Sequence, residues 1–128
     1  MAKQGVGMKY DAGKLRVGLL LTGLAVELEE ISAVLTYGEQ KYAAHSWQTV
    51  PDGRGRYLDA AGRHILRLSA GEVFDLESGL RHVAHAITDL LFIAYLDRVD
   101  MEAADEYDTG DQTFREWLLT FNPPPTKG

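Results

Sequence analysis

Apolar residues recur at helical spacing in three long segments of the chain. The first predicts a helix that begins between residues 15 and 18 and ends near residue 37. The second predicts a helix from residue 57 to residue 69 or 70, and the third predicts one from about residue 78 to residue 99. A short amphipathic helix is expected at residues 114–121. Since no segment alternates with the period of a strand, the pattern predicts an all-α bundle of three main helices plus this short C-terminal helix.

The third predicted helix carries two different surfaces. Its broad apolar face, which we expect to face the core, consists of Leu80, Val83, Ala84, Ile87, Leu90, Leu91 and Ala94. On the other side, His82, His85 and Asp89 share a narrow arc. This arc is flanked and continued by Ala86, Phe92, Ile93 and Leu96. Because three helices make a thin core, we expect this second surface to be covered by another subunit, in a homo-oligomer such as a dimer or tetramer.

Composition and charge exclude several classes of protein. A chain of 128 residues with 45% hydrophobic content can form one domain with its own core, here taken as residues 1–128. A net charge of −6 argues against binding to a nucleic-acid polymer or an acidic membrane. The absence of cysteine excludes disulfides and thiolate metal sites. The run GLLLTGLAV is too short to span a bilayer and no signal segment precedes it, so the cytoplasm is the expected location.

Carboxylates and imidazoles are concentrated on the first and third helices. Glu27 and Glu30 lie one turn apart on the first helix, and Glu72 and Asp75 precede the histidine-bearing helix. Solvated charge, helix capping and favourable helix-dipole interactions explain part of this pattern. Binding of a divalent cation is the functional interpretation. Oxygen-rich ligand sets favour Mg²⁺ or Mn²⁺, and histidine ligands are better tolerated by Mn²⁺.

The segment 38–56 concentrates cations and aromatic residues in what reads as a loop. As a substrate loop it would offer cations to phosphates and the ring of Tyr42 or Trp47 to a base. Alternatively, both rings only anchor the loop to the core. His64 lies at the edge of the second helix and also has two interpretations. It either binds a ligand or is a hydrogen-bonded residue of the core. A cation bound by carboxylates near such residues is suited to phosphoanhydride hydrolysis.

Four stretches of the chain, in this order, resemble the phage dATP/dGTP diphosphohydrolase family. They are KYDAGKLRVGLL, AVLTYGEQKYAAHSW, RYLDAAGRHILRLSAGE and DLESGLRHVAHAITDLLFIAYL, and together they cover about residues 9–97. The resemblance implies a divergent MazG-like, all-α nucleotide pyrophosphohydrolase. Such an enzyme converts dGTP or dATP to the monophosphate and pyrophosphate with Mg²⁺ or Mn²⁺. It further implies a role in phage nucleotide metabolism in the host cytoplasm.

The resemblance also implies roles for individual residues. Glu27 and Glu30 match the spacing of the superfamily's EExxE motif, and Asp89 matches the aspartate of its ExxD motif. The implied metal ligands are Glu27, Glu30, His85 and Asp89, with Glu72, Asp75 and His82 as further ligands or their partners. Glu30 is the implied base that activates water. The implied substrate-binding residues are Lys14, Arg16, Lys41 and Arg63 for phosphates, Tyr42 or Trp47 for the base, and His64.

One departure from the superfamily pattern keeps other functions open. Ala86 occupies the position where the ExxD motif has its glutamate. A catalytically silent phage protein that binds and sequesters a signalling nucleotide is therefore the alternative. A third interpretation is an interaction module whose histidines only satisfy each other's hydrogen bonds.

Overall fold

The computed structural model describes residues 14–104 and 113–121. Within them the helices are α1 (Val17–Gly23), α2 (Ala25–Lys41), a 3-10 helix (Ser46–Thr49), α3 (Gly53–Ser69), α4 (His82–Ala104) and α5 (Phe114–Leu119). No strand occurs in these residues apart from an isolated bridge between Phe74 and Arg81. The predicted all-α class is confirmed. The predicted single domain also includes residues 1–13, 105–112 and 122–128, which lie outside the described part of the chain.

The first predicted helix is divided in two at Leu24. This residue leaves the helical region, with φ −128° and ψ 28°, directly after Gly23. Glycine weakens a helix because it loses more backbone freedom on folding than other residues do. The Leu24 N–H still donates to the Leu20 carbonyl at 3.0 Å, and the Leu28 N–H donates to the Leu24 carbonyl at 2.9 Å. These two hydrogen bonds connect α1 to α2 across the break, which is therefore a kink.

The third predicted helix begins later than the sequence pattern indicates. Residues 75–81 form a turn in which Ser78 N–H donates to Asp75 Oδ2 at 3.0 Å and Gly79 has a φ of +76°. A left-handed residue cannot continue an α-helix, so α4 starts at His82. Glu72, Asp75 and Glu77 therefore belong to a structured connection between α3 and α4.

α4 makes the most extensive packing contacts among the described helices. It contacts α3 most extensively and also contacts α2 and the 3-10 helix. Buried alanines at positions 61, 84 and 86 allow these helices to approach closely. Near the other end of α3, a Cβ added to buried Gly53 would lie 3.5 Å from Leu96, so the start of α3 also lies against α4.

The buried face of α4 is largely the opposite of the predicted one. His82, Ala84, Ala86, Thr88 and Ile93 are buried. Four residues of the predicted core face are instead exposed: Ile87, Leu90, Leu91 and Ala94. The prediction was wrong because apolar content alone cannot choose between two apolar surfaces of one helix. In the folded chain, α2 and α3 pack against the side of α4 that carries small residues. The histidine arc lies within this packed side.

Apolar side chains on the outer faces of the helices remain exposed in the single chain. Val26 is 68% exposed and Leu66 is 70% exposed. Similar residues occur on α1, α2, α3 and α4, including Leu21, Leu35, Leu58, Ile65, Leu90 and Leu91. Separately, no helix in the described ranges has both the length and the apolar character needed to cross a bilayer.

Candidate functional site

A cleft of about 740 Å³ opens between α2, the 3-10 helix, α3 and α4. This volume falls within the range of small-molecule and cofactor sites. Its apolar and aromatic lining includes Val34, Leu35, Tyr37, Tyr42, Trp47, Val50, Tyr57 and Phe92. Its titratable lining includes Glu39, Arg56, Asp59, Arg63, His85 and Asp89. The cleft therefore combines flat rings with both signs of charge, which suits a ligand that has a ring system and an anionic part.

One face of α3 supplies the cations of the cleft. Arg56, Asp59 and Arg63 follow one another at spacings of three and four residues, which places them on the same side of a helix. Arg63 was predicted to bind phosphates, and Arg56 was one of the cations of the predicted substrate loop; both line the cleft from α3. Asp59 was missed by sequence reasoning because nothing in the local pattern distinguishes it from a solvated charge.

Trp47 makes the contacts of an anchor. Its ring stacks on Phe92 with centroids 4.2 Å apart and planes inclined by 12°, and it meets the edge of Tyr95 at 4.9 Å. Its carbonyl accepts a hydrogen bond from the Tyr57 hydroxyl at 2.8 Å. Tyr42, in contrast, lines the cleft and is 72% exposed. Lys41 Nζ lies 5.4 Å from the centroid of the Tyr42 ring, yet most of this ring is exposed and accessible for stacking.

Asp89 is a carboxyl group without a protein partner among the described residues. It lines the cleft from α4, and no hydrogen bond or ion pair with another described residue satisfies it. Burial raises the pKa of Asp89 to about 7, although the positive charge of Arg63 acts in the opposite direction. A carboxyl group placed in this way gains from any cation that enters the cleft.

Three histidines from α3 and α4 form one cluster beside the cleft. The Nδ1 atoms of His64 and His82 lie 2.9 Å apart, and His82 Nε2 lies 2.9 Å from Glu72 Oε2. The ring of His64 stacks on that of His85, with centroids 4.7 Å apart. Burial, followed by the charges of His85 and His82, lowers the pKa of His64. His82 itself is only 4% exposed.

A second chain of hydrogen bonds joins this cluster to the turn before α4. The Ser78 hydroxyl donates to Asp75 Oδ2 at 2.8 Å, so it accepts from His85 Nε2, which lies 2.7 Å away. Burial alone would raise the pKa of Asp75, but the hydrogen bonds from Ser78 together with the charges of His85 and His64 lower it. Burial lowers the pKa of His85. A neutral His85 that donates through Nε2 keeps Nδ1 as an acceptor.

Two imidazoles and one carboxylate of this region could hold a metal ion. Each of His64, Asp75 and His82 offers one ligand atom, and these atoms all lie within 4.8 Å of one another. Asp75 and His82 were predicted as metal ligands, whereas His64 was predicted to bind substrate. The contribution of His64 was not visible in the sequence because it lies 18 residues before His82.

The predicted acid pair on α2 faces an arginine. Arg81 binds the Glu30 carboxylate through two hydrogen bonds of 2.7 and 2.6 Å. These bonds lower the pKa of Glu30. The negative charge of Glu27 also contributes to raising the pKa of Arg81. Arg81 was missed by sequence reasoning, although it is the residue directly before His82.

The other predicted phosphate-binding cations do not line the cleft. Lys41 forms an ion pair with Glu77, which also accepts a hydrogen bond from the Tyr37 hydroxyl at 2.8 Å. The bond to Glu77 raises the pKa of Lys41. Lys14 and Arg16 are exposed before α1. Among the described residues, the cations that line the cleft are Arg56 and Arg63.

Comparisons with known proteins match most of the chain. The model of the family described as "dATP/dGTP diphosphohydrolase, N-terminal" matches residues 4–106. A curated protein of Salmonella phage PMBT28, named dATP/dGTP diphosphohydrolase, is 41% identical over 90 residues. That alignment covers 70% of this chain and 29% of the phage protein, so the chain spans less than a third of this relative's length. No solved structure matches the chain.

Proposed function

The chain belongs to the dATP/dGTP diphosphohydrolase family, and from this we propose that it hydrolyses dGTP or dATP to the monophosphate and pyrophosphate. The observation that carries this proposal is the cleft, which offers one ligand rings, two arginines and a carboxyl group that has no partner in the described part of the chain. We further propose a divergent MazG-like enzyme that acts in phage nucleotide metabolism in the host cytoplasm. The phage origin of the relative supports this setting.

Substrate binding is assigned first to the residues that line the cleft. Tyr42 stacks on the purine, since its ring is exposed, while Trp47 holds the wall in place through Phe92. Arg56 and Arg63 neutralise the phosphates and orient them. The predicted roles of Lys14, Arg16, Lys41 and His64 stay predictions. For Lys41 to bind a phosphate, that phosphate must compete with Glu77 for its ammonium group.

We propose Mg²⁺ or Mn²⁺ as the cofactor of the reaction. The residue that fits such a cation best is Asp89, because its half-buried carboxyl group has no partner among the described residues. When bound, the cation neutralises charge on the phosphates and lowers the pKa of a water molecule. Glu27, Glu30 and His85 stay predicted ligands. Of these three, His85 lines the cleft. Glu30 could bind the cation only after its hydrogen bonds to Arg81 break.

The chain's own side chains limit which group can remove a proton from water. Glu30 stays the predicted base, but the two hydrogen bonds from Arg81 lower the pKa of its carboxyl group and so make it a weaker base. Asp89 has the opposite environment, since burial favours its protonated form. The phenyl and indole rings of Phe92 and Trp47 close one wall of the cleft and reduce the access of bulk water to the reacting phosphates.

We also propose that the chain acts as a homo-oligomer. The outer faces of the helices carry partly exposed leucine, isoleucine and valine side chains, and completing their burial would contribute roughly 1 kcal/mol each. A second copy that packs against α4 at Leu90 and Leu91 would cover the apolar face that one chain leaves exposed.

Product analysis tests the proposed reaction. The full chain is incubated separately with dGTP, dATP, dCTP and dTTP in the presence of Mn²⁺ or Mg²⁺, and the products are resolved by anion-exchange chromatography. We expect dGMP or dAMP in equal amounts with pyrophosphate, and no reaction in excess EDTA. Absence of a monophosphate from both purine nucleotides, or formation of a diphosphate and orthophosphate, would contradict the proposal. Recovery of bound but unaltered nucleotide would support the silent binder instead.

A further inference from the structure

We propose that His64, Asp75 and His82 form a second metal site, selective for a nitrogen-preferring transition-metal ion such as Zn²⁺. This site is separate from the cation that accompanies the nucleotide at Asp89. The inference goes beyond the proposed hydrolysis, because it concerns residues that do not line the cleft. It also predicts a cation different from the Mg²⁺ or Mn²⁺ proposed for catalysis.

The first observation is the convergence of three donors from three parts of the chain. His64 lies on α3, Asp75 in the connection after it, and His82 at the first residue of α4. Their ligand atoms lie within 4.8 Å of one another. Two nitrogens bound to one tetrahedral zinc ion at about 2.0–2.1 Å are separated by roughly 3.3 Å. The His64 and His82 Nδ1 atoms, 2.9 Å apart, need only a small movement to reach that separation.

The second observation is independent and concerns the far side of His82. Its Nε2 atom lies 2.9 Å from Glu72 Oε2, and a carboxylate can only accept this hydrogen bond. The proton of neutral His82 is therefore on Nε2, and Nδ1 presents its lone pair toward His64. Metal-bound histidines usually donate their second N–H to a carboxylate or carbonyl in this way. Glu72 thus holds His82 in the tautomer that binds a metal through Nδ1.

The third ligand is also held in its charged form. Ser78 donates both its N–H and its hydroxyl to Asp75 Oδ2, at 3.0 and 2.8 Å. A set of two neutral imidazoles and one carboxylate matches the His₂-carboxylate sites of zinc proteins and leaves a position for water. Mg²⁺ prefers oxygen ligands. Because two of the three donors here are nitrogen atoms, the site disfavours Mg²⁺. Glu72 and Asp75 would balance the charge of the ion.

A bound ion here would tie the turn before α4 to both long helices. The same turn contacts the cleft residue His85 through Ser78, at 2.7 Å. It is also held to α2 by the bond between Glu77 and the Tyr37 hydroxyl, at 2.8 Å. Metal occupancy would therefore stabilise the position of His85 without contacting the nucleotide.

Direct metal binding tests this site. The full chain, free of any histidine tag and stripped with EDTA, is titrated with Zn²⁺, Co²⁺ and Mg²⁺ in the absence of nucleotide, using a chromophoric chelator as competitor. We expect one equivalent of Zn²⁺ to bind at least about 100-fold more tightly than Mg²⁺, and bound Co²⁺ to show visible d–d absorption. Lack of stoichiometric Zn²⁺ binding, or equal affinity for Mg²⁺, would overturn the proposal.

Variants assign the site to its residues. Glu72→Gln is expected to weaken Zn²⁺ binding about 10–100-fold, and His64→Asn to weaken it more. His45→Asn is the matched control: His45 is exposed with a φ of 60°, a conformation that asparagine tolerates, and its affinity should be unchanged. Should circular dichroism show His64→Asn to be unfolded, Asp75→Asn replaces it. Equal Zn²⁺ affinity in Glu72→Gln, Asp75→Asn and the control would overturn the assignment. Because no nucleotide is present, failure of the hydrolysis proposal leaves this result unaffected.

Discussion

Replacing Asp89 with asparagine is expected to stabilise the fold at pH 8 by about 2–4 kcal/mol while lowering kcat/KM roughly 100-fold. The activity falls because the cleft loses the carboxylate assigned to the nucleotide-bound cation. The stability rises because burial opposes the charged form of this group, whose folded-state pKa is about 7. Opposite changes in stability and activity are typical of residues kept for function.

The pH dependence of this effect has a definite sign. The folded-state pKa of Asp89, about 7, lies above its ordinary value of 3.8. Below pH 3.8 the carboxyl group is protonated in both states, so it does not destabilise the fold. Between pH 3.8 and 7 the unfolded chain releases the proton first, and stability falls as the pH rises. The advantage of asparagine should therefore be absent at low pH and complete near pH 8.

Urea denaturation in EDTA at pH 4 and pH 8 measures this difference, and the product assay measures the activity. Asp100→Asn serves as the matched control, since Asp100 is an exposed residue of the same helix. This control should change the unfolding free energy by less than about 0.5 kcal/mol and leave the activity unchanged. The predicted sign would be contradicted if the unfolding free energy of Asp89→Asn differed from that of Asp100→Asn at pH 4 but not at pH 8. Full activity in Asp89→Asn would remove this residue from the site.

Trp47→Ala is expected to destabilise the fold by about 3 kcal/mol. This value is at the lower end of the range for replacing a large aromatic residue with alanine. The ring stacks on Phe92 and meets the edge of Tyr95, so its loss leaves a gap between the 3-10 helix and α4. Trp47→Phe should recover much of the loss, because it keeps a ring on Phe92. Urea denaturation of the two variants beside the parent chain provides the measurement.

Tyr42→Ala is the matched comparison within the same wall of the cleft. Its ring is 72% exposed, so its removal should change the unfolding free energy by less than about 0.5 kcal/mol. Loss of a stacked base should instead raise KM for dGTP or dATP by roughly 10-fold or more, since such stacking is worth about 1–3 kcal/mol. If Tyr42→Ala were unstable with an unchanged KM, or Trp47→Ala were stable with a raised KM, the two roles would be assigned the wrong way round.

The helical class of the fold could be predicted because it depends on local periodicity. Apolar spacing located all three long helices, and glycines with a Pro-Asp-Gly turn indicated the connection between the first two. The observed connection, residues 42–52, is shorter than the predicted one, residues 38–56, because α2 continues to Lys41 and α3 begins at Gly53. The kink at Leu24 and the late start of α4 could not be predicted. They depend on backbone angles at Leu24 and Gly79, which the apolar pattern does not encode.

Several residues that line the cleft were named from the sequence, but the partners of the charged residues were not. Asp89 and Arg63 were expected near a nucleotide, and both line the cleft. The bond between Glu30 and Arg81 joins residues 51 positions apart, and it depends on how α2 packs against the start of α4. The same holds for His64, whose contact with His82 requires α3 and α4 to lie side by side. Packing, rather than residue type, decides which charges are left without a partner.

The central claim is that a purine nucleotide occupies the cleft between α2, the 3-10 helix, α3 and α4. A crystal structure of the full chain with Mn²⁺ and a dGTP analogue that cannot be cleaved between its α and β phosphates tests this most directly. We predict the base against Tyr42, the phosphates beside Arg56 and Arg63, and an anomalous manganese peak in contact with Asp89. A nucleotide bound outside this cleft, with no manganese at Asp89, would contradict the account.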